Sequence, residues 1–258
     1  MKYLILGPGG MAYFSMIGRV IKMNEMKQFE DLEEISGSSA GALCAFCYLV
    51  ARKNLDSLIE TSLNIKTDKV LKFTLKNLLK NFGGIDLKHA RNSISEVCSK
   101  YIGISDVTFE HLYTLTGIKL HIPAYSLTKG TNVYFSTDAT PMESVLDAVC
   151  ASICLPLIMA PYKGEYLDGS IMEDIPYIPF LLKNPDDVYT IRVENNSLNG
   201  STGMIGYLSK LMNVFYTLRY KTDIFKIDYI RPPNINTYKF SMDAETKMKL
   251  FLCGYRLT

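Results

Sequence analysis

Twice before residue 52 the chain runs from a short apolar stretch through a glycine turn into a helix-forming segment. Tyr3 to Leu6 leads into Gly7-Pro8-Gly9-Gly10, and Leu32 to Ile35 leads into Gly37-Ser38-Ser39-Ala40-Gly41. This repeat constrains the fold more than any other feature. Successive strands that each feed a helix cannot close as a hairpin, so they lie parallel with helices on the sheet faces. Both glycine turns then fall at the same carboxyl edge of the sheet, where sites of such folds form. The expected class is α/β, with a central mostly parallel sheet in a three-layer αβα arrangement.

Helical periodicity covers about Met11 to Met26 and resumes at Ala40. From Leu55 to about Leu115 the pattern reads as a run of helices broken at Gly83-Gly84 and near Gly103, with no convincing strand. We read residues 54–115 as a helical insertion or cap within a single domain spanning 1–258. Strand patterns return at Lys119 to Leu127 and Thr131 to Phe135 around Lys129-Gly130, an expected hairpin at the sheet edge. A helix from about Pro141 to Ser152 is expected next, with proline in its first turn. Then come a strand before Asp168, a strand at Val188 to Val193 and a long apolar helix between Gly203 and Phe225. A short strand near Tyr238 and a last helix from Asp243 complete the pattern.

Composition excludes several classes. Twenty-eight basic against 26 acidic residues give a formal charge of +2, without the global basic footprint of nucleic-acid binding. Hydrophobic residues at 48% and charged residues at 21% belong to a folded globular chain. Six cysteines lie mostly on apolar helical stretches, and Cys44 and Cys47, three apart on one of them, lack a second pair or a nearby histidine to complete a zinc site. They read as reduced core thiols, and no metal is expected. The four-residue apolar strand at the N-terminus is too short for a signal peptide or a membrane span, so an intracellular, cytoplasmic setting is expected.

A strand that turns abruptly through G-x-S-x-G into a helix pushes its serine out of the sheet. Ser39 is therefore a candidate nucleophile, flanked by Gly37 and Gly41; the alternative is a serine that only caps a helix. The N–H of Ala40 and the positive end of the following helix face any oxyanion formed at that serine. Gly9 and Gly10, on the neighbouring turn, offer two more bare N–H groups. Gly7 to Ala12 also satisfies the dinucleotide pattern G-x-G-x-x-G/A, but that pattern wants an acid at the tip of the second strand, and here the tip is Gly37-Ser38-Ser39.

The serine needs a base. The histidines are His89, His111 and His121, with none after residue 121, so the Ser-acid-His order of an α/β-hydrolase does not fit. The remaining candidate is Asp168, in Asp168-Gly169-Ser170 after an expected strand, which reads either as a general base or as an ordinary Asp-Gly turn.

The three motifs together resemble the patatin-like phospholipase family, with its glycine-rich loop, G-x-S-x-G elbow and downstream D-G-[GA]. "AVCASICLPLIMAPYKGEYLDGSIMEDIP" from Ala148 to Pro176 is similar to the family's helix, small-residue turn, strand and Asp-Gly block, and Phe240 to Tyr255 is similar to its terminal strand and helix. The resemblance implies Ser39 as nucleophile, Asp168 as its base, and Gly9 and Gly10 as oxyanion donors, with Gly7, Gly37, Gly41 and Gly169 supporting the turns. It implies lipid acyl hydrolysis through an acyl-enzyme and no cofactor. Departures from the family loop are Pro8 at its first glycine, Ala12 at its basic residue and Tyr13 at its last glycine; Ser170 replaces the usual Gly or Ala. Without a cation at position 12, a phosphate headgroup is less strongly specified than ester hydrolysis.

Lys69, Lys72, Lys76 and Lys80 recur at spacings of three, four and four beside Val70, Leu71, Leu75, Leu78, Leu79 and Phe82. This reads as a basic amphipathic helix, either lying on an anionic membrane or packed on the core by its apolar side. The segment Met204 to Phe225 reads as a buried helix or a wall of an acyl groove. A lipid or membrane-surface substrate is expected, with peripheral contact through these lysines and no nucleic acid. The alternatives are a catalytically silent lipid-binding relative, a neutral-lipid or carboxyl esterase, and a nucleotide-dependent oxidoreductase.

Overall fold

Strand β1 (Tyr3–Leu6) is buried along its whole length because both of its faces are covered. Leu4 and Leu6 point into the main core, while Tyr3 and Ile5 alternate to the other face against Ile175, Phe180 and Phe225. A computed structural model describes residues 1–194, 206–207, 210–211, 214, 225–233 and 235–257. The other strands are β2 (Glu34–Gly37), β3 (Gly83–Ile85), β4 (Lys119–Ser126), β5 (Thr131–Ser136), β6 (Leu157–Met159), β7 (Tyr166–Asp168), β8 (Val188–Val193) and β9 (Lys226–Ile230). The main sheet runs β5-β4-β2-β1-β8-β9, parallel except for the β4–β5 hairpin and for β7, which pairs antiparallel with β4. This is the expected α/β architecture with a central, mostly parallel sheet.

Helix α1 (Tyr13–Glu25) follows the first glycine turn, and α2 (Ala40–Ala51) follows the second. Helix α2 is apolar nearly all round and correspondingly buried, as a helix enclosed on every side must be. It packs against α1, α3 (Leu55–Asn64), α6 (Lys88–Ile102) and α8 (Val145–Ser152). The six cysteines are unpaired, and all but Cys253 are buried. Cys44 and Cys47 sit in the core, where burial pushes the Cys47 thiol up to about 12.

Register on β4 brings two distant segments together. Strand β5 occupies one edge of β4. Along the other edge, β2 pairs with its first residues, Ser36 opposite His121, and β7 takes over further on, Asp168 opposite Ala124. Ser39 lies three residues past Ser36, as Ala124 lies three past His121. The serine turn and the end of β7 therefore arrive at the same level.

Several sequence expectations need correction. Strand β2 covers Glu34–Gly37 rather than Leu32 to Ile35, because Leu32 turns back onto Phe29 and only from Glu34 does the chain align with β1. The insertion holds a strand, β3, where the glycines read as a break: Gly83 pairs with Leu157 and Ile85 with Met159, and a Cβ at Gly83 would collide with the Met159 backbone. The lysine-rich helix is two short pieces, α4 (Thr67–Val70) and α5 (Leu75–Asn81). Between them Phe73 bridges Ile85, and the Thr74 N–H donates to the Gly84 carbonyl at 2.8 Å, so pairing with β3 pulls the backbone out of helix. Helix α8 begins at Val145, with the Ser144 side chain accepting from the Asp147 N–H, and Pro141 lies in the preceding turn. Residues around Tyr238 form a turn and not the expected strand, closed by the Asn236 side chain accepting from the Tyr238 N–H at 2.9 Å, and β9 lies where no strand is expected. The apolar segment from Gly203 to Phe225 lies largely outside the described residues. No described helix is long and apolar enough to cross a membrane.

Candidate active site

Ser39 joins β2 to α2 with φ 55° and ψ −122°. A non-glycine residue held there costs on the order of 1–3 kcal/mol, so its surroundings must enforce it. They do so from three sides. The Ser38 N–H donates to the Leu6 carbonyl at 3.1 Å. The Ser39 N–H donates to Ser152 Oγ at 3.0 Å, at the end of α8. Gly41 presses against the end of β1 so closely that a Cβ would collide with the Leu6 carbonyl and crowd that of Gly7.

The strained turn aims Ser39 Oγ at Asp168, where it donates to Oδ2 at 2.6 Å. Asp168 is fully buried and Ser39 is 5% exposed. The other carboxylate oxygen, Oδ1, accepts from the Ser170 N–H at 2.8 Å and from Ser170 Oγ at 2.6 Å. Both oxygens are thus engaged, which fixes the carboxylate plane with one edge toward the serine. Ser170, a departure from the family pattern, supplies one of these donors. The Asp168 N–H in turn donates to the Cys154 carbonyl at 2.8 Å.

The first glycine turn borders the same space, since Gly10, Ser39 and Ala40 line one cavity. Gly10 takes φ +55°, and a Cβ there would run into the Thr237 carbonyl, which accepts from the Met11 N–H at 2.8 Å. Among the described residues, the N–H groups of Gly9, Gly10 and Ala40 have no hydrogen-bond acceptor. Ala12, at the position of the family's basic residue, is fully buried.

The cavity, about 160 Å³, is predominantly apolar and extends from Ser39 beneath the insertion. Leu58, Ile65, Val70, Leu71, Ile94 and Val97 form its insertion side, facing Met11, Tyr13, Leu43 and Phe240. Tyr13 Oη and Ser62 Oγ are 3.3 Å apart across it, and burial raises the Tyr13 phenol well above its ordinary value. Lys247, from the helix Ala244–Tyr255, donates to the carbonyls of Leu63 and Ile65 and so ties down the end of α3.

The histidines do not join this group. His121 Nε2 lies 2.8 Å from Glu34 Oε2, and its ring packs edge-on against Phe180. The hydrogen bond from His121, followed by that from Lys183, lowers the Glu34 carboxyl to about 2. Sequence reasoning singled out Ser39, Asp168 and the glycine turns, and the fold brings them together. It missed Ser152, Lys247 and the insertion wall. Ser152 carries a faint signal, the small-residue end of α8, while Lys247 and the wall residues carry none that differs from ordinary helix faces.

The comparisons bear on the whole arrangement. The family described as patatin-like phospholipase matches residues 4–181. A protein of invertebrate iridescent virus 6 named "Probable lipid hydrolase 463L" is 27% identical over 187 residues, 68% of this chain and 61% of that protein. VipD from Legionella pneumophila superposes with a TM-score of 0.58 at 15% identity, over 98% of this chain and 65% of its own. The type III effector ExoU of Pseudomonas aeruginosa does so with a TM-score of 0.50 at 15% identity, over 99% of this chain and 51% of its own. At that identity the two structures speak for the fold alone. The chain spans less than two thirds of the length of each of these three proteins.

Proposed function

Because this chain belongs to the patatin-like phospholipase family, we propose that it is a serine lipid acyl hydrolase working through a Ser39–Asp168 dyad. The observation that carries this reading is the 2.6 Å contact from Ser39 Oγ to a fully buried carboxylate at the end of an apolar cavity. A hydroxyl needs a base within hydrogen-bond reach to become a nucleophile, and Asp168 Oδ2 is the group in reach.

In the first half-reaction Ser39 Oγ attacks the ester carbonyl carbon while its proton passes to Asp168 Oδ2. The carbonyl oxygen takes the electron pair and becomes an oxyanion. The N–H groups of Gly9, Gly10 and Ala40 are the donors for it, at the positive end of α2, where fixed dipoles stabilise charge without reorganising. Collapse of the tetrahedral species breaks the ester C–O bond, and the leaving alcohol takes the proton from Asp168. The acyl group remains on Ser39. In the second half-reaction water attacks that carbonyl, its proton goes to Asp168, and breakage of the Ser39 C–O bond releases the fatty acid and returns the proton to Ser39.

The apolar lining of the cavity supports an acyl chain as the group transferred, because such a chain gains about 0.8 kcal/mol per buried methylene. Buried Ala12 offers no cation to a phosphate, so neutral glycerides and phospholipids both belong in the assay. Such a substrate resides in a lipid surface, which the exposed lysines Lys69, Lys72, Lys76 and Lys80 suit. Fatty-acid release from phospholipid, lysophospholipid and glyceride vesicles tests the reading: release by the wild type must vanish in Ser39→Ala and Asp168→Asn. Release that persists in both variants, or none from any lipid by folded wild type, defeats it.

A further inference from the structure

Residues 66–82 contain five lysines and one aspartate, and all five, Lys66, Lys69, Lys72, Lys76 and Lys80, are exposed. Among the described residues, lysine ion pairs involve Lys2, Lys22, Lys119, Lys163, Lys183 and Lys249, and none of these five. The segment therefore presents unneutralised positive charge, relieved only by Asp68.

Leu78 of its second helix is half-buried, but three other large apolar residues there are left to solvent. Leu75 is 54% exposed, Leu79 75% and Phe82 76%. Their spacing of four and three places them on one face, with Lys76 and Lys80 beside them. Phe82, which ends α5, has φ 60°, a conformation that a bulky residue rarely adopts, and it is held there with its ring in solvent. Pairing of the next residue, Gly83, with Leu157 brings up a further apolar side chain, 38% exposed and also at positive φ. The preceding piece of the same segment borders the cavity, since Val70 and Leu71 line it together with Ser39. One short stretch of chain thus joins a wall of the apolar cavity to an exposed apolar foot flanked by lysines.

A core-packing role is excluded by the exposure of the foot, and a plain solvated face does not gather three large apolar side chains. We infer that this segment docks the protein on an anionic lipid bilayer. Leu75, Leu79 and Phe82 enter the boundary between headgroups and acyl chains, and the lysines meet the lipid phosphates, which sets the cavity over its substrate. The inference rests on the lipid-hydrolase reading of Ser39 for its purpose, and on charge complementarity for its choice of lipid.

Vesicle co-sedimentation of Ser39→Ala protein tests docking without turnover. Binding to phosphatidylcholine vesicles containing phosphatidylglycerol is expected, and it should weaken in high salt and on pure phosphatidylcholine. Each lysine changed to glutamine among Lys69, Lys72, Lys76 and Lys80 should weaken binding about fivefold, and Leu79→Ser with Phe82→Ser by at least about tenfold. On the Ser39 background these variants should keep hydrolysis of a soluble short-chain ester within about twofold while losing hydrolysis of vesicle lipid. Vesicle binding that is absent, or indifferent to both sets of substitutions, overturns the inference, as does an acidic protein competing for the foot while anionic vesicles do not bind. Failure of the hydrolase reading looks different: soluble ester is left intact by the wild type, while sedimentation still reports on docking.

Discussion

The two sides of the cavity are built by different means. On the sheet side, Ser39 and Asp168 are positioned by backbone: the shared ladder of β4, the carbonyl of Leu6 and the close approach that Gly41 permits. On the insertion side, the wall is made of side chains, and beyond the β3 pairing its helices are fastened by side chains. Arg91 reaches Asp147 at 2.5 Å and Asp106 at 2.6 Å, and Lys247 reaches the carbonyls of Leu63 and Ile65. The close approach at Gly41 tolerates almost no change in residue type, whereas a wall of side chains can be resized. On the proposed function, the contrast separates the chemistry, assigned to the sheet side, from the choice of substrate, assigned to the insertion.

Substitutions can break this division, and the largest effects belong to the sheet side. Ser39→Ala and Asp168→Asn should each lower hydrolysis by about 10³-fold or more, with thermal unfolding near that of the wild type. Next comes Gly41→Ala, which replaces no reacting group yet forces α2 away from the Leu6 carbonyl. Misplacement of the nucleophile by an ångström is worth about 10² in kcat, so steady-state kinetics of this variant should fall in that range with little change in KM.

On the insertion side, Leu71→Trp fills the cavity from its outer wall. Acyl-chain profiling should show long-chain ester hydrolysis reduced about tenfold while short-chain ester is spared, given that a methylene or two of fit is worth on the order of 1–3 kcal/mol. Equal loss on both substrates would mean that the wall also holds the chemistry in place. Ser170→Ala, the residue type usual in the family, removes one of the two donors on Asp168 Oδ1. A hydrogen bond to a charged group is worth about 1.5–3 kcal/mol, and with the backbone donor kept, a kcat loss of about tenfold is expected.

The smallest effect on activity belongs to Glu34→Gln, away from both walls. The Glu34 carboxyl is held near 2 in the folded chain, against an ordinary value of 4.5. Its contribution to stability is complete above the ordinary value and disappears as the pH falls through about 2. Denaturant unfolding across that window should show a flatter acid limb in the variant, with ester hydrolysis at neutral pH unchanged.

The same division governs what could be read from the sequence. Gly37, Ser39 and Gly41 are legible because a strained turn in close contact with backbone admits few residue types, and the motif records that demand. Asp168 is legible only as an aspartate before glycine; its meeting with Ser39 depends on the length and register of β4, which no local pattern carries. The lysine spacing continues unbroken from α4 to α5, so nothing local marks the interruption that pairing of Phe73 and Thr74 with β3 imposes. Strand β3 was hidden for the opposite reason, because glycines chosen for close pairing look like glycines that end a helix. The strand expected near Tyr238 is instead a turn closed by Asn236, and its Thr237 carbonyl is needed by the glycine loop. Leu58, Ile94 and Val97 have the spacing of any amphipathic helix, and only the assembled fold reveals that their apolar face borders a cavity.

Intact-protein mass spectrometry after treatment with a fluorophosphonate tests the dyad most directly, because the reagent phosphonylates a serine only where a base and an oxyanion site activate it. The predicted result is a single adduct mapped to Ser39, absent in Ser39→Ala and formed far more slowly in Asp168→Asn. An adduct on another serine, or one that forms on Ser39 equally fast without the Asp168 carboxylate, would contradict the dyad.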